Sequence, residues 1–418
     1  MNKLTVIIGK TTRILSRLRG GGSALPGLIV EKFDPDFLAK ELGKLPYGVA
    51  VISGTNGKTT TTKIVTDLLE KQGLKVFTNK TGSNFTRGVV SEMLGEIHRF
   101  KFNFDIAVLE LDEAHAVKFT EKIKPKYSLF LNVLRDQLDR FGEINKVAKL
   151  LTEVAKNTTS EVILNREDPL ISAIACSLPR SIKTHFYGYN KELAKYFPND
   201  DELLGKKTIK KSTVKVDVEL KSFNNKSATY KIGKNQYSTK IKISGAHNLF
   251  NAAGALTLIQ AILKNKVDSD KLVSNLASIE TAFGRGEKLI INGTQVELFL
   301  VKNPAGFRLS LLSQYSKDAD VMIAINDQYA DGRDMSWLWD VDFSKLNEVK
   351  MISGVRAYDM ALRLQYDDVK FNCVEPDLKK AIDLFLNDSN NKQIFTTYTA
   401  MLKIRKILSK LDKVERAL

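Results

Sequence analysis

Short apolar runs alternate with segments of helical spacing from Gly48 onward, and this alternation sets the first expectation for the fold. Residues 49–53 predict a strand, residues 59–72 predict a helix that ends at Gly73, and residues 74–78 predict the next strand. Further strands are predicted at residues 106–111, 129–132 and 162–165, and a helix is predicted at residues 146–156. Such alternation is typical of a parallel sheet that is covered by helices.

The pattern changes between residues 206 and 244, where apolar and charged positions alternate with a period of two. Val214, Val216, Val218 and Leu220 are separated by charged residues, and Gly233 interrupts the segment. A period of two predicts strands with one buried and one solvated face, so we expect an antiparallel insertion at about residues 190–244. A long helix is predicted to follow it, at residues 247–264.

A second series of strands and helices begins after Gly293. Its predicted strands are residues 296–301, 321–326, 349–352, 369–373 and 393–397, and its last helix is residues 400–411. We therefore divide the chain into a lead-in at residues 1–45, a central domain at 46–292 and a C-terminal domain at 293–418. The predicted fold class is α/β, with a parallel central sheet that carries an antiparallel insertion, followed by a Rossmann-like α/β domain.

Residues 4–18 have the spacing of an amphipathic helix, carry the basic residues Lys10, Arg13 and Arg17, and end before Gly20-Gly21-Gly22. Their apolar stretch is too short for a signal peptide, and the basic residues follow it rather than precede it. Two interpretations stay open. The helix is either a solvated helix docked on the body of the protein, which we prefer, or a patch that rests on an anionic membrane face.

Composition adds a charge argument and a redox argument. The 418 residues include 64 Lys and Arg against 48 Asp and Glu, a net charge of +16 that indicates an anionic partner, substrate or surface. Hydrophobic residues at 43% and charged residues at 27% exclude a largely disordered chain. The two cysteines, Cys176 and Cys373, are too few for a disulfide framework or a four-cysteine zinc site, and we expect both to be inert core thiols in a reducing cytoplasm. No apolar run approaches the ~18–20 residues that span a bilayer.

The strongest chemical signal is Gly54-Thr55-Asn56-Gly57-Lys58-Thr59-Thr60, which follows a predicted strand and opens a predicted helix. Small residues let backbone N–H groups surround phosphates, and a helix N-terminus favours negative charge. Lys58 is expected to reach the terminal phosphates of ATP, and the Thr59 hydroxyl is expected to reach Mg²⁺. Ile52 occupies the place of the first glycine in the strict phosphate-loop pattern. A Gly/Thr turn that holds a lysine by chance is the plainer interpretation, and the adjoining strand and helix disfavour it.

This heptapeptide resembles the nucleotide loop of the Mur ligase superfamily, and further segments resemble that family in the same order. Glu110 matches its magnesium-coordinating acidic position, and Lys149 matches a position where several members carry a carbamylated lysine. The other matching segments are Asn132 with residues 135–139 (where Gln137 replaces the usual histidine), residues 165–168, Gly245-Ala246-His247-Asn248-Leu249-Phe250-Asn251 and Gly284-Arg285-Gly286-Glu287. The resemblance implies that His247, Asn248 and Asn251 lie near the adenine and that Arg285 faces the γ-phosphate. An ordinary helix cap is the plainer interpretation of His247-Asn248.

The C-terminal segments narrow the resemblance to the MurT family, the synthetase subunits of lipid II isoglutaminyl synthases. The segments that carry it are Lys302-Asn303-Pro304-Ala305-Gly306-Phe307, Asn326-Asp327 and residues 330–343, 356–360 and 397–401. The resemblance implies a ligase that uses ATP and Mg²⁺ to convert the D-glutamate of the lipid II stem peptide to D-isoglutamine, with Asn303 among the nucleotide-binding residues. It also implies a GatD-type glutaminase partner that supplies ammonia. Members with a zinc ribbon carry its cysteines near residues 190–235, where this chain has none, so we predict no zinc site.

An acidic segment that follows the predicted strand at residues 321–326 contains Asp331, Asp334 and Asp340. The resemblance implies that one of these aspartates completes the Cys–His pair of the glutaminase across the subunit interface. A carboxylate on the far nitrogen of an imidazole fixes its tautomer and stabilises its cation. We favour Asp334, although the sequence does not select among the three. Their plainer roles are to cap turns or to contact the ATP ribose.

Other functions remain as alternatives. A Mur-type ligase that adds an amino acid, such as a folylpolyglutamate synthetase, is disfavoured by residues 302–304 and 331–342. A non-catalytic nucleotide-binding scaffold is disfavoured by the presence of Lys58, Thr59, Glu110 and Arg285 together. Nucleic acid is not expected as a partner, because the basic residues are scattered and no recognition module is present. We expect a cytoplasmic protein with peripheral contact at the inner face of the plasma membrane.

Overall fold

The computed structural model of the chain separates into two compact units, each described here by itself. The residues that the structure describes are 2–18, 24–79, 85–134, 144–197, 213–224, 226–242, 245–279 and 285–411. The described part of the first unit is residues 2–133 and 144–279, and that of the second is residues 285–411 together with Leu134. Residues 135–139, which belong to the sequence match that begins at Asn132, lie outside the described residues. The glycines at 20–22 lie outside them as well.

The first unit is built on one mixed sheet with helices packed against it. Its helices are α1 (Lys3–Leu18), α2 (Leu25–Phe33), α3 (Phe37–Leu42), α4 (Lys58–Lys71), α5 (Thr86–Glu96), α6 (Glu113–Lys122), α7 (Ile144–Lys156), α8 (Pro169–Ala173), α9 (Ala246–Leu263) and α10 (Ser269–Ser274). Its strands are β1 (Gly48–Ser53), β2 (Val76–Thr78), β3 (Ile106–Glu110), β4 (Tyr127–Phe130), β5 (Glu161–Asn165), β6 (Lys183–Tyr189), β7 (Val218–Phe223), β8 (Ser227–Ile232) and β9 (Asn235–Lys240). These strands lie in the order β2-β3-β1-β4-β5-β6-β7-β8-β9.

The sheet is parallel from β2 through β7, and its central strands β1, β3 and β4 are apolar runs because both of their faces are covered. Residues of β1, β3 and β4 are almost completely buried. The helix α9 is apolar around most of its circumference and is correspondingly buried along its length, in contact with α4 and with strands β4 to β7. The predicted central parallel sheet is confirmed.

The antiparallel segment continues this sheet at its edge. Strand β7 pairs parallel with β6, and β7, β8 and β9 then pair antiparallel to one another. The described strand begins at Val218, so Val214 and Val216 precede it although they share its alternating pattern. Alternation in β7 and β8 follows burial, since Val218, Leu220, Ala228 and Tyr230 are buried.

The second unit contains a six-stranded sheet with the order β10-β11-β15-β12-β13-β14. Its strands are β10 (Arg285–Ile291), β11 (Thr294–Leu300), β12 (Asp320–Ala324), β13 (Glu348–Ser353), β14 (Lys370–Glu375) and β15 (Lys392–Thr396). Its helices are α11 (Pro304–Gln314), α12 (Ala357–Tyr366), α13 (Leu378–Phe385) and α14 (Tyr398–Leu411). Strands β11 to β15 are parallel, as expected of a Rossmann-like domain, and only β10 runs antiparallel, along β11.

The pairing of β10 with β11 bears on the domain division. A boundary after residue 292 would separate two strands that are joined by a tight turn with positive φ at Asn292 and Gly293. In the structure both strands therefore belong to the second unit, which places the change of unit before Arg285. Apart from this difference, the predicted α/β fold class is confirmed.

Helices α1, α2 and α5 form a small helical layer in the first unit. A Cβ on Gly9 would lie 2.7 Å from the Leu94 side chain and 2.8 Å from that of Val30, so α1 approaches both neighbours closely. Within the described residues, no helix combines the length and the apolar character needed to cross a bilayer.

Candidate active site

Residues 54–57, which the sequence predicts to bind phosphates and which we call the phosphate loop, lie where the order of the first sheet reverses. Strand β1 is flanked by β3 on one side and by β4 on the other, and the chain leaves β1 directly into residues 54–57 and helix α4. Open α/β sheets bind ligands outside the carboxyl ends of their strands at such a switch point. Residues from the ends of all three strands meet there, since Asn132 bonds to Asn56 and Glu110 to Thr59.

Asn132, two residues beyond β4, holds the loop from behind. Its Oδ1 accepts a hydrogen bond from Asn56 N at 2.9 Å, its Nδ2 donates to Asn56 O at 3.0 Å, and its carbonyl accepts from Thr55 N at 2.9 Å. These three bonds fix the loop backbone without using the first-turn N–H groups of α4. The sequence match at Asn132 therefore corresponds to a structural clamp on the loop.

Gly57 is the N-cap of α4 and is tightly surrounded. Its φ is +91°, which favours glycine, and a Cβ at this position would lie 2.4 Å from Asn251 Nδ2. Asn251, buried on α9, thus lies against the phosphate loop. Because Gly57 offers no capping side chain, the N-terminus of α4 retains the positive end of its dipole for an anion.

Lys58 is buried at the start of α4, with its ammonium folded back over the loop. Its Nζ donates to the carbonyls of Gly54 and of Thr55, the latter at 3.2 Å, and lies 3.6 Å from a carboxylate oxygen of Glu113. Burial raises the pKa of Glu113, and the neighbouring ammonium of Lys58 opposes that rise. A cation is therefore held in the loop opposite a carboxyl group on α6.

Thr59 and Glu110 form the pair that the sequence assigned to magnesium. Thr59 Oγ1 donates to Glu110 Oε1 at 2.9 Å, although the two residues are 51 positions apart. Asn79, beyond β2, fixes the backbone of Glu110 by two hydrogen bonds, donating to its carbonyl at 2.7 Å and accepting from its N–H at 2.9 Å. A hydroxyl and a carboxylate oxygen are hard donors of the kind that Mg²⁺ prefers.

The other residues predicted in the first unit are spread around this loop. Thr60 is buried on α4, and its hydroxyl has no hydrogen-bond partner among the described residues. Asn248 lies in the first turn of α9, where its N–H donates to Gly245 O at 3.0 Å. Lys149 is exposed on α7, the first described helix after residues 135–143, and its proposed carbamylation stays a prediction.

His247 is packed in an aromatic cluster. Its ring meets the Phe197 ring edge-on at 5.0 Å, next to Tyr189 and Phe250. Burial lowers the pKa of His247 to about 4, so the imidazole is neutral at pH 7, and its Nε2 has no partner among the described residues. A neutral ring with a free nitrogen fits a neighbour such as a nucleobase better than a phosphate.

In the second unit, Asp331 is turned inward. It is 1% exposed, and its carboxylate accepts from Thr399 N at 2.8 Å, from Thr399 Oγ1 at 2.5 Å and from Gln328 N at 3.0 Å. Because Thr399 is in the first turn of α14, this aspartate ties the loop after β12 to the helix after β15. Its contacts are those of a structural carboxylate.

Asp334 and Asp340 are exposed on the same loop. Asp334 Oδ1 accepts from Ser336 N at 2.9 Å, and this N–H, together with the Ser336 hydroxyl, lowers the pKa of Asp334 below its usual value. The carbonyl of Asp340 accepts from Arg308 Nε at 2.9 Å. The outward carboxylates are held on a loop whose backbone is fixed.

The two tryptophans of this loop differ in environment. Trp337 is buried in the core of the second unit beside Phe307. Trp339 is 49% exposed, with the Arg363 guanidinium 5.4 Å from its ring and the Tyr366 ring at 5.1 Å. An exposed aromatic group therefore lies on the same short helical turn as Asp340.

Asn303 and Arg285 complete the predicted set. Asn303 is fully buried and caps α11, because its Oδ1 accepts from Gly306 N at 2.7 Å. Arg285 begins β10, and its side chain lies outside the described residues. The nucleotide roles of both residues stay predictions.

Cys176 and Cys373 bear on the expectation of inert core thiols. Cys176 is exposed, so this expectation is wrong for it, because the short helix that carries it presents that position to solvent; Cys373 is partly buried. The described residues contain no group of three or more His, Cys, Asp or Glu that could hold a metal ion.

Sequence reasoning missed two residues of the candidate nucleotide site. Glu113 faces Lys58, and Asn79 fixes Glu110. The acidic run Asp112-Glu113 just after the strand that ends at Glu110 was an available signal for Glu113. Asn79 had none, since it reaches Glu110 only through the pairing of β2 with β3.

Comparisons with known proteins agree with this geometry. Residues 52–259 match the Mur ligase middle domain, and residues 300–401 match the MurT ligase C-terminal domain. Among solved structures, a pseudomurein peptide ligase type C from Methanothermus fervidus has a TM-score of 0.69 at 17% identity and covers 92% of this chain and 84% of its own. The MurF ligase of Thermotoga maritima in complex with ADP has a TM-score of 0.65 at 18% identity, with 91% and 84% covered. At these identities the likeness concerns the fold.

Two curated relatives cover nearly the whole chain. The MurT subunit of the lipid II isoglutaminyl synthase (glutamine-hydrolyzing) of Streptococcus pneumoniae R6 is 29% identical over 99% of this chain and 98% of the relative. The same subunit from Staphylococcus aureus COL is 30% identical over 91% of this chain and 92% of the relative.

The fold and the phosphate loop at its switch point define a protein of the Mur ligase class. Within that class, the chain belongs to the MurT family, since residues 300–401 match the MurT ligase C-terminal domain and a MurT relative is 30% identical over 91% of the chain. The resemblance found in the sequence is confirmed.

Proposed function

We propose that this chain is the ATP-dependent synthetase that amidates the α-carboxylate of D-glutamate in the lipid II stem peptide and so produces D-isoglutamine. The observation that carries the proposal is the phosphate loop with Lys58 at the start of α4 and the Thr59–Glu110 pair beside it, in a member of the MurT family. ATP is a substrate, and ammonia is the nitrogen donor.

The proposed reaction has two steps. A carboxylate oxygen of the substrate attacks the γ-phosphorus of ATP, so that ADP leaves and an acyl phosphate forms. Ammonia then attacks the acyl carbon, phosphate leaves, and a proton is lost to give the amide. Such catalysis depends on positioning and on charge neutralisation. The first-turn N–H groups of α4 and the Lys58 ammonium are the groups of this chain that bind and neutralise phosphates.

Thr59 and Glu110 are the residues that would hold Mg²⁺. Their fit rests on two oxygen donors 2.9 Å apart at the carboxyl end of β3, with Glu110 held in place by Asn79. A bound Mg²⁺ supplies neutralisation of phosphate charge. The role of these residues before any metal enters is to keep two hard oxygen atoms at the edge of the phosphate loop.

We further propose that a GatD-type glutaminase supplies the ammonia and that the acidic loop contributes the carboxylate of its triad. The inward contacts of Asp331 count against that residue, and the exposure of Asp334 and Asp340 favours them. Asp334 is preferred because its exposed carboxylate is held in place by Ser336, whose hydrogen bonds lower the pKa of Asp334 below its usual value. The proposed location is the cytoplasm at the inner face of the membrane that holds the lipid-linked substrate.

The test uses the purified chain with lipid II, ATP and either ammonium chloride or glutamine plus a GatD-type glutaminase. Mass spectrometry of the stem peptide is expected to show one carboxylate converted to an amide, together with ADP and phosphate in equal amounts. Glutamine is expected to act only when the glutaminase is present. Addition of an amino acid instead of ammonia would contradict the proposal and favour a Mur-type amino-acid ligase.

A further inference from the structure

Helix α1 presents five of its large apolar side chains to solvent and packs mainly small side chains against the protein. Thr5, Val6, Gly9 and Ser16 are buried against the helical layer, and the close approach at Gly9 leaves no room for a larger side chain at that position. The outward side chains are between 51 and 79% exposed; they are Leu4, Ile7, Ile14, Leu15 and Leu18. Surface helices normally turn their large apolar residues inward, so this arrangement needs a partner for the outward face.

The outward residues form one stripe. Positions 4, 7, 14 and 18 follow the spacing that brings side chains onto one face of a helix, and Leu15 lies beside that face. Helix α1 has no acidic residue, and its charged residues are Lys3, Lys10, Arg13 and Arg17. An apolar stripe on a helix whose charges are all basic is typical of helices that lie in a lipid interface.

A basic and aromatic turn adjoins this stripe. His98 and Lys101 close the turn by two backbone hydrogen bonds, at 2.9 and 3.1 Å, and both of its central residues, Arg99 and Phe100, are exposed. Lys3 Nζ lies 5.8 Å from the Phe100 ring, and Lys10 on α1 donates to Ile97 O, so the helix and the turn form one surface.

The backbone of this turn is unusual for its residues. Arg99 has φ of +48° and Phe100 has φ of +59°, a region in which glycine or asparagine is the ordinary choice. Arg99 and Phe100 thus occupy backbone conformations at the tip of the turn that glycine or asparagine would adopt with less strain. Next to them, a cavity of about 600 Å³ is lined by the basic residues Arg99 and Lys101, by His98, Asn103 and Phe104, and by one carboxylate, Glu96.

We propose that the outward face of α1 and the turn at residues 98–101 form a docking surface for an anionic phospholipid bilayer. The stripe enters the interface between head groups and acyl chains, while Arg99, Lys101 and Lys3 contact lipid phosphates. Charge complementarity selects this occupant, because the surface joins apolar side chains to basic ones. The choice also rests on the proposed function, since its substrate is embedded in a bilayer.

The experiment measures binding of the purified chain, alone and with its glutaminase, to sucrose-loaded vesicles by sedimentation. One set of vesicles is phosphatidylcholine, and the other contains equal parts of phosphatidylcholine and phosphatidylglycerol. We expect binding to the anionic vesicles that weakens with salt. Ile7→Ser with Ile14→Ser is expected to weaken it at least about tenfold, because two apolar side chains are lost from the interface.

Arg99→Gln with Lys101→Gln tests the charges separately. Each basic residue near an anionic surface contributes about fivefold in affinity, so this variant is expected to lose about 25-fold on anionic vesicles and little on neutral ones. Matched controls lie in the second unit: Leu384→Ser removes a leucine that is 52% exposed, and Lys379→Gln removes an exposed lysine, and both are expected to bind like the wild type.

Three results would overturn the proposal: no binding of the wild type to anionic vesicles, equal binding by the variants, or a dimer in sedimentation equilibrium that Ile7→Ser with Ile14→Ser dissociates. Amidation of detergent-solubilised lipid II is measured in parallel. The docking variants are expected to retain that activity, so a failure of docking is distinguishable from a failure of the proposed function.

Discussion

The phosphate loop of the first unit and the acidic loop of the second occupy equivalent places in their sheets. Each follows a buried parallel strand that is flanked by two others, β1 between β3 and β4, and β12 between β15 and β13. Each is fixed by side chains from neighbouring strand ends. Asn132 holds the first loop, and Thr399 holds the second through Asp331.

The two loops differ in where they direct their polar groups. In the phosphate loop, the helix N-terminus and the Lys58 ammonium are gathered around residues 54–57. In the acidic loop, the carboxylate of Asp331 accepts hydrogen bonds from within the second unit, whereas Asp334 and Asp340 face solvent. Polar groups that converge on the loop suit the phosphate loop to binding a ligand, whereas polar groups that point outward from a fixed backbone suit the acidic loop to contacting a partner. The direction of the polar groups thus distinguishes the two loops.

The largest expected effect on activity concerns the phosphate loop. Lys58→Ala is expected to lower amidation at least about 10³-fold, because it removes the charge that neutralises the β- and γ-phosphates. The fold is expected to survive, because burial already raises the pKa of Glu113 and the carboxyl group can take up a proton once its cation is lost. Steady-state rates with ammonium chloride, together with circular dichroism, check both statements.

The matched control for that variant is Lys63→Ala, which removes a lysine one turn further along α4. Lys63 is 40% exposed and pairs with Asp67 at 2.8 Å, so its loss is expected to leave the rate unchanged. Full activity of Lys58→Ala would contradict the assignment of residues 54–60 to the nucleotide.

The role of the acidic loop is tested by Asp334→Asn. Glutamine-driven amidation is expected to fall by about 10²–10⁴-fold, because the histidine of the glutaminase loses the carboxylate that orients it, while ammonia-driven amidation is retained. Asp342→Asn is the control, since Asp342 Oδ1 accepts from Ser344 N at 3.0 Å in the same kind of turn. Asp340→Asn is measured alongside; a selective loss in that variant would move the role to Asp340. Parallel loss of both activities in all three predicted aspartates would end the triad hypothesis.

Asp331→Asn is expected to act on stability instead. An amide cannot accept all three hydrogen bonds that the carboxylate receives, and we expect a loss of about 2–3 kcal/mol in the free energy of unfolding. Both tryptophans lie in the second unit, so tryptophan fluorescence during urea unfolding follows that unit alone. Unchanged stability with a selective loss of glutamine-driven activity would instead make Asp331 the triad residue.

The sequence predicts the phosphate loop better than the acidic loop for a physical reason. Strand, glycine loop and helix N-terminus are contiguous in residues 49–72, so the local pattern contains nearly the whole candidate phosphate site. The burial of Asp331 depends on Thr399, 68 residues further along, and nothing in the acidic segment itself distinguishes Asp331 from Asp334.

The same limit applies to α1. Its amphipathic spacing predicts a helix, and α1 spans Lys3–Leu18, but spacing does not say which face is inward. The close approach at Gly9, to side chains of α2 and α5, reverses the usual orientation. The position of β10 likewise follows from its pairing with β11 rather than from its own sequence.

The smallest effect separates the two regions by pH. His247, which packs on Phe197 in the first unit, has a pKa lowered by burial to about 4, against 6.5 when unfolded, so the unfolded state binds more protons in that interval. The first unit is therefore expected to lose about 1–2 kcal/mol as pH falls from about 6.5 to about 5. Asp334 and Asp342 have pKa values below the usual 3.8, so these two carboxylates of the acidic loop stay ionised over the same interval.

Hydrogen exchange of peptides from β1 to β4 and tryptophan fluorescence follow the stability of the two units separately. His247→Phe should flatten the dependence of stability on pH in the first unit only. A first unit equally stable at pH 4.5 and 7, or a flattened profile in the second, would contradict this assignment.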